Sequence, residues 1–296
     1  VTESRRGLVH GIAAYVLWGI VPIYWKLMRG IGPVEILAHR VVWGMLACAA
    51  IVWASGAGPA LRAALADRKV VAMMAVSGAL LTLNWGTFVY AVVSDHLVDA
   101  SVGYFINPLL SVVLGAAVLR EPVSRLSWTA LGLAAAGVAL LTWHAGHLPW
   151  IAVVVSISFA GYGLVRKLAR VEALVGSAIE TALLAPLAAG YLAILAIRGS
   201  GELGHAGLAG HILVISTGVV TAVPLVMFSI AARRLPLSTL GFLQFLGPIL
   251  QLVLAVALYG EPFVREQQIA FGLIWLGLAA FSIDLARRSA LSRTGR

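Results

Sequence analysis

Charge is what this sequence has least of. Asp, Glu, Lys and Arg make up 11% of its 296 residues, against about a quarter in an ordinary soluble domain. Acidic residues are the scarcer sign, 12 against 21 Lys and Arg, for a formal net charge of +9. Cysteine is down to Cys48 alone, which excludes an intramolecular disulfide, and no Cys/His spacing suits a zinc site. No GxxxxGK[ST] stretch occurs, so a P-loop nucleotide site is excluded. No polar linker or low-complexity block divides the chain. What fills it is apolar: 61% of residues are hydrophobic and the mean hydropathy is +0.97.

Those apolar residues come in runs long enough to cross a bilayer, about 20 residues each. Ten candidate spans cover 8–28, 34–54, 70–93, 98–119, 126–143, 149–166, 174–197, 210–232, 237–259 and 267–285. They are rich in Ala and Leu and do not alternate, which argues for helices and against the short alternating strands of a barrel. The expectation is an all-α polytopic membrane protein of ten transmembrane helices. The basic N-terminus and first run resemble a signal sequence but end in no small-residue cleavage site, so they read as an uncleaved first helix. The positive charge lies between apolar segments and reads as topology, so no nucleic-acid partner is expected. With the N-terminus cytoplasmic, sixteen Lys and Arg, such as Arg62, Lys69, Arg125 and Lys167, fall on the cytoplasmic face. Only Lys26, Arg29, Arg198 and Arg265 fall opposite.

The helix-stopping pair Glu121-Pro122 recurs as Glu261-Pro262, 140 positions on. At that shift Gly78 falls on Gly218, Phe88 on Phe228, Pro108 on Pro248, and Gly132 and Gly137 on Gly272 and Gly277. The chain reads as a duplication of five spans, residues 7–145 and 146–286. Five is odd, so the halves enter the membrane in opposite senses, the inverted-repeat plan of secondary transporters with sites near the midplane. The Glu-Pro pairs read as corners whose carboxylates sit at the surface, free to cap the next helix, or as gating contacts.

Polar and irregular positions repeat at membrane depth. Pro108, Pro224 and Pro248 read as helix breaks, either packing kinks or edges of a cavity. Candidate pathway residues are Trp18, Asn84, Trp85, Tyr104, Asn107, Tyr162 and Gln244; the aromatic ones have ordinary packing as the alternative. Candidate coupling or gating residues are His39, Arg40 and Glu180, since ionisable groups inside spans face the bundle interior. Arg40 has three readings: snorkelling outward, pairing with Glu35, or serving a polar cavity. A shift of 141 sets Glu180 opposite His39. Glu180 alternatively makes only a helix-start hydrogen bond. Trp25 and Trp150, near span ends, read as interfacial belt residues, and Asp95 and Asp99 as solvated caps. His10, His144, His147, His205 and His211 read as loop histidines, with no metal site and no cofactor. Gly132 with Gly137, and Gly272 with Gly277, suit close packing of the fifth and tenth spans as scaffold.

The stretches "AYVLWGIVPIYWKL", "EILAHRVVW", "GYFINPLL", "GYGLVRK", "STLGFLQFLGP" and "YGEP" together resemble the RarD-type permeases of the EamA family, in the drug/metabolite transporter superfamily. The resemblance runs over essentially the whole chain. It implies a ten-helix inner-membrane permease with both termini cytoplasmic and the fifth and tenth helices peripheral. It also implies the chloramphenicol label that RarD proteins carry, which is an inherited name. Arg40 matches the arginine early in the second helix of many EamA repeats; the second half has Thr181 near the equivalent place.

The expected function is therefore a secondary transporter, a permease or exporter moving a small metabolite or drug-like solute by alternating access. His39 or Glu180 would carry protons, or exchange would proceed without them. The expected partners are that solute, the lipid bilayer and a possible second copy of the chain. A membrane-embedded enzyme is the alternative, but Asp95 and Asp99 lie too near the surface for an intramembrane protease pair, and no GxSxG elbow occurs. A structural or signalling membrane protein is the other.

Overall fold

The computed structural model describes residues 3–120, 123–146, 148–201, 207–232, 234–235 and 243–294, with side chains from Arg5 to Asp284 apart from those of Ala145, Ser229 and Ala232. The Glu121-Pro122 corner, His147, His205 and the start of the expected ninth span at 237–242 lie outside the described residues. Among the described residues all regular structure is helical. The helices are α1 (Glu3–Lys26), α2 (Pro33–Ala54), α3 (Gly58–Ala66), α4 (Arg68–Val93), α5 (Leu97–Leu119), α6 (Arg125–Ala145), α7 (Trp150–Ala169), α8 (Ala173–Ile197), α9 (Leu208–Ala232), α10 (Leu246–Val253) and α11 (Arg265–Thr294). Nine of them are long and apolar enough to cross a membrane; α10 continues through a π-helical turn, Leu254–Leu258, as a shorter apolar helix. The short α3, which the apolar runs do not reveal, buries none of its residues.

Local chemistry sets the ends. Pro33 opens α2, where its missing N–H costs nothing. The Asp67 carboxylate caps α4 by accepting from the backbone N–H of Lys69 at 2.9 Å, and Ser124 caps α6 through Ser127 at 3.0 Å. The helices α5 and α9 continue through Pro108 and Pro224, so neither proline ends its helix. One proline removes one ladder bond, and the remaining bonds and packed neighbours hold the helix. Only Pro248 follows an interruption, in the first turn of α10.

Long-range packing interleaves the two ends of the chain. Helix α1 packs on α9 and α10, while α7 packs on α4 and α5; α2 packs on α8, and α6 on α11. The last pair touches backbone to backbone. A Cβ on Gly137 would lie 2.8 Å from the Ala270 carbonyl oxygen, and one on Gly277 2.7 Å from that of Ala130. Gly132 and Gly272 have open space beside them, so each expected glycine pair supplies one contact rather than two.

The main apolar cluster lies toward the face that carries Asp95. It joins Trp25 and Met28 of the α1 end to Ile36, Phe88, Leu97, Phe105 and Phe271. Lys26 and Arg29 both pair with the Asp95 carboxylate, so Asp95 fastens the α1 end to the α4–α5 turn rather than standing as a solvated cap. Glu261 is 6% exposed and accepts from the backbone N–H of Leu97 at 3.0 Å and Val98 at 2.9 Å. It therefore caps α5, far away in sequence, and not the helix that follows it. The opposite face, which carries Asp67, holds smaller clusters around Met74 and Cys48. There a cleft of about 320 Å³ opens between α2, α8 and α9, lined by residues including Cys48, Ser177, Ala222 and Leu225.

Candidate solute pathway

Helix periodicity puts Glu35 and His39 one turn apart near the start of α2, with Arg40 beside them. Counted from Pro33 at 1.5 Å per residue, Arg40 lies roughly 10 Å along the helix, and it is 7% exposed. It does not snorkel, and it forms no ion pair among the described residues. Its Nε donates to Thr221 Oγ1 of α9 at 3.1 Å. Its guanidinium carbon sits 3.8 Å from the centroid of the Trp85 ring on α4 and 5.0 Å from that of Trp25 on α1. An arginine at membrane depth costs roughly 2.5–3.5 kcal/mol on insertion scales. Two desolvated cation–π contacts, at about 1–2 kcal/mol each, are of the size needed to offset that.

Trp25 is completely buried. It is not a belt residue: its indole covers Arg40 and meets Tyr24 edge-on at 5.0 Å. The Tyr24 hydroxyl donates to the Leu213 carbonyl and lies 2.9 Å from Ser216 Oγ, tying α1 to α9. Trp150 is 48% exposed and leans on Tyr90, 5.6 Å between centroids.

Asn84, next to Trp85, is the polar junction of α4, α5 and α7. Its Nδ2 donates to the Val155 carbonyl at 2.9 Å and to Ser158 Oγ at 3.2 Å, and its Oδ1 accepts from the Tyr104 hydroxyl at 3.0 Å. Tyr104 meets Phe159 edge-on at 5.9 Å, and Phe159 meets Tyr162 at 5.8 Å. A continuous aromatic and polar seam thus runs from Tyr162 through Tyr104, Asn84, Trp85 and Arg40 to Trp25.

Glu180 terminates the seam on α8. It is fully buried, and its Oε1 accepts from Ser77 Oγ at 2.6 Å and from Arg166 Nη1 at 3.4 Å. This is a lateral lock between α4, α7 and α8, not a helix-start hydrogen bond. Arg166 also donates to the Ala173 carbonyl at 3.0 Å. Its guanidinium lies across Gly176, where any side chain would occupy the same space.

The other expected positions lie apart. Trp18 meets Tyr15 edge-on (5.4 Å) and Phe228 at a tilt (5.8 Å), and its carbonyl accepts from Gln251 Nε2 at 3.2 Å. Asn107 is buried with Oδ1 making no hydrogen bond among the described residues. Gln244 stands half-buried in the turn before α10 without a hydrogen bond among them. His39 is fully buried, its Nε2 3.8 Å from Glu35 Oε1. Among the described residues no group of His, Cys, Asp and Glu is placed to hold a metal.

Sequence reasoning missed Trp25, Thr221, Ser77, Ser158 and Arg166 as parts of this seam. Arg166 sits in the last turn of α7, where it reads as one more topogenic charge. The signal available was the spacing of Arg166 from Glu180, two opposite charges flanking one short turn.

These features define an all-helical, multi-pass membrane protein that keeps charged and aromatic side chains inside its bundle. The model of the EamA-like transporter family matches residues 5–143. Protein RarD of Escherichia coli is 42% identical over 282 residues, 95% of each chain. The chain belongs to the EamA-like transporter family, in its RarD group. An uncharacterized transporter of Pseudomonas aeruginosa is 43% identical over 283 residues, 96% of this chain and 95% of the relative. A solved crystal structure, 22% identical, superposes with a TM-score of 0.61 over 97% of this chain and all of the other, a likeness of fold.

Proposed function

We propose that the chain is a secondary transporter of the bacterial inner membrane, a permease or exporter moving a small metabolite or drug-like solute by alternating access. The observation that carries this reading is Arg40. A guanidinium buried between two indoles at membrane depth, with no ion-pair partner among the described residues, is costly for a scaffold and suits a pathway.

The packing supports a ten-helix arrangement of two inverted repeats, 7–145 and 146–286. A 140-residue shift exchanges Gly137 with Gly277 and Ala130 with Ala270, and so turns one close contact of α6 and α11 into the other. The same exchange relates α1 on α9 and α10 to α7 on α4 and α5. The Lys and Arg distribution supports a cytoplasmic Asp67 face with both termini on that side. The cleft then opens inward and the outer side is closed by the Trp25 cluster, the Asp95 pairs and the Glu261 cap. Rocking of the repeats would open that cluster and close the cleft. Glu180, and second to it His39, are the coupling candidates, because each is a fully buried ionisable group, Glu180 at the end of the seam and His39 one residue from Arg40, and the inverted repeat would set them on opposite sides of the midplane.

Counterflow tests the reading. Purified protein in sealed liposomes is to be offered labelled amino acids, aromatic carboxylates and chloramphenicol. Saturable counterflow of at least one class, absent from protein-free vesicles, is expected. Tight vesicles with no counterflow of any class overturn transport and return the chain to the membrane-enzyme or structural alternatives.

A further inference from the structure

The surroundings of Arg40 leave only part of it in use. Thr221 takes the Nε edge, and Trp85 and Trp25 lie over the guanidinium. The two Nη groups make no hydrogen bond among the described residues, and Arg40 keeps 7% of its surface accessible. A free guanidinium fork presents parallel N–H donors that match the two oxygens of a carboxylate.

Charge balance narrows the choice. The nearest carboxylate in sequence, Glu35, approaches His39 at 3.8 Å and not Arg40. No second cation among the described residues joins the Arg40 cluster. One positive charge is cancelled by a monoanion; a dianion would leave an uncompensated negative charge at membrane depth, which is costly. Beside the fork, the half-buried rings of Trp85 and Tyr104 offer flat apolar surface, and Tyr104 is held in place by Asn84.

We propose that Arg40, set between Trp25 and Trp85, is the docking point for the carboxylate of a small organic monoanion with a flat, largely apolar body. The inference deepens the transporter reading and rests on it for its purpose, but binding is measurable without flux.

The test uses benzoate as probe, benzamide as its uncharged counterpart and phenyl phosphate as the dianion, on the purified full chain. The readouts are tryptophan fluorescence, since two indoles flank the site, and thermal stabilisation. Benzoate is expected to quench saturably and stabilise, with benzamide at least tenfold weaker and phenyl phosphate weaker than benzoate. Arg40→Lys keeps the charge but loses the fork, and should weaken benzoate at least tenfold; Arg40→Gln should abolish binding. No benzoate binding, equal binding of benzamide, tighter binding of phenyl phosphate, or undiminished benzoate affinity in Arg40→Lys each overturns the proposal. Arg40→Lys carries the decision where Arg40→Gln does not fold. Arg40-dependent benzoate binding without counterflow of any solute keeps the anion site and removes the transporter reading. Counterflow of a neutral solute that Arg40→Gln leaves unchanged, without benzoate binding, does the reverse.

Discussion

The Glu261 carboxylate and the backbone N–H of Val98, 163 positions apart in the chain, meet at 2.9 Å, and the second carboxylate oxygen takes the neighbouring N–H of Leu97. A corner of the second half thereby closes the open end of a helix in the first. Both N–H groups would otherwise be orphaned at a buried helix start. Hydrogen bonds to a charged acceptor contribute about 1.5–3 kcal/mol. Glu261→Ala should therefore lower the melting temperature of the purified protein clearly. Glu266→Ala, which removes only the half-exposed contact with His144 at 3.5 Å, should change stability by no more than about 0.5 kcal/mol. Equal effects of the two would deny Glu261 its capping role.

The α6–α11 contact makes an asymmetric forecast from glycines that look alike in sequence. Gly137→Leu and Gly277→Leu each drive a side chain into a facing carbonyl, at about 1–3 kcal/mol or more. Gly132→Leu and Gly272→Leu enter open space and should be tolerated. Yield of monodisperse protein and melting temperature in one detergent decide it, and the forecast fails if all four behave alike.

Buried charge gives a double-mutant test. Removing Arg166 leaves Glu180 fully buried without its cation, a change of about 3–5 kcal/mol in buried pairs. Arg166→Gln should be the least stable variant, and Arg166→Gln with Glu180→Gln should recover most of the loss. A double variant as unstable as the single one would mean that Arg166 acts through its carbonyl contacts at Ala173 and Glu172.

Glu180→Gln alone keeps the shape and removes the titration. If Glu180 couples protons, counterflow persists in this variant while acceleration by an imposed pH gradient disappears. Full retention of that acceleration removes Glu180 as the coupling group.

Topology is checked with exposed positions. Arg62→Cys and Arg198→Cys, in a Cys48→Ala background, should react with an impermeant maleimide from opposite sides, Arg62 from the cytoplasm. Reaction from the same side would break the alternation on which the inverted repeat stands.

The spans were legible because bilayer thickness writes itself into run length: α2, α4 and α8 begin and end within about two residues of the apolar runs. Arg40, Glu180 and Asn84 were legible as residues because polar groups stand out in apolar runs. Their partners were not. Thr221, Ser77 and Ser158 are ordinary hydroxyls within spans, and they join the seam only through contacts 181, 103 and 74 positions long. Trp25 was misread for a related reason. A tryptophan near a span end has the same sequence signature whether it faces lipid headgroups or a buried cation. Pro108 and Pro224 were over-read, since a proline signals a lost bond and says nothing of the neighbours that hold the helix together.

The separation of 181 positions from Arg40 to Thr221 also sets a clock for biogenesis. At about 5–20 residues per second of synthesis, Thr221 leaves the ribosome roughly 10–35 s after Arg40. Through that interval the guanidinium waits in an unfinished bundle without its hydrogen-bond partner. Trp25 is already made, and Trp85 follows within the first half. The two indoles are the part of the final site that the nascent chain then possesses, and the only partners in that site available to cover the charge until α9 is made.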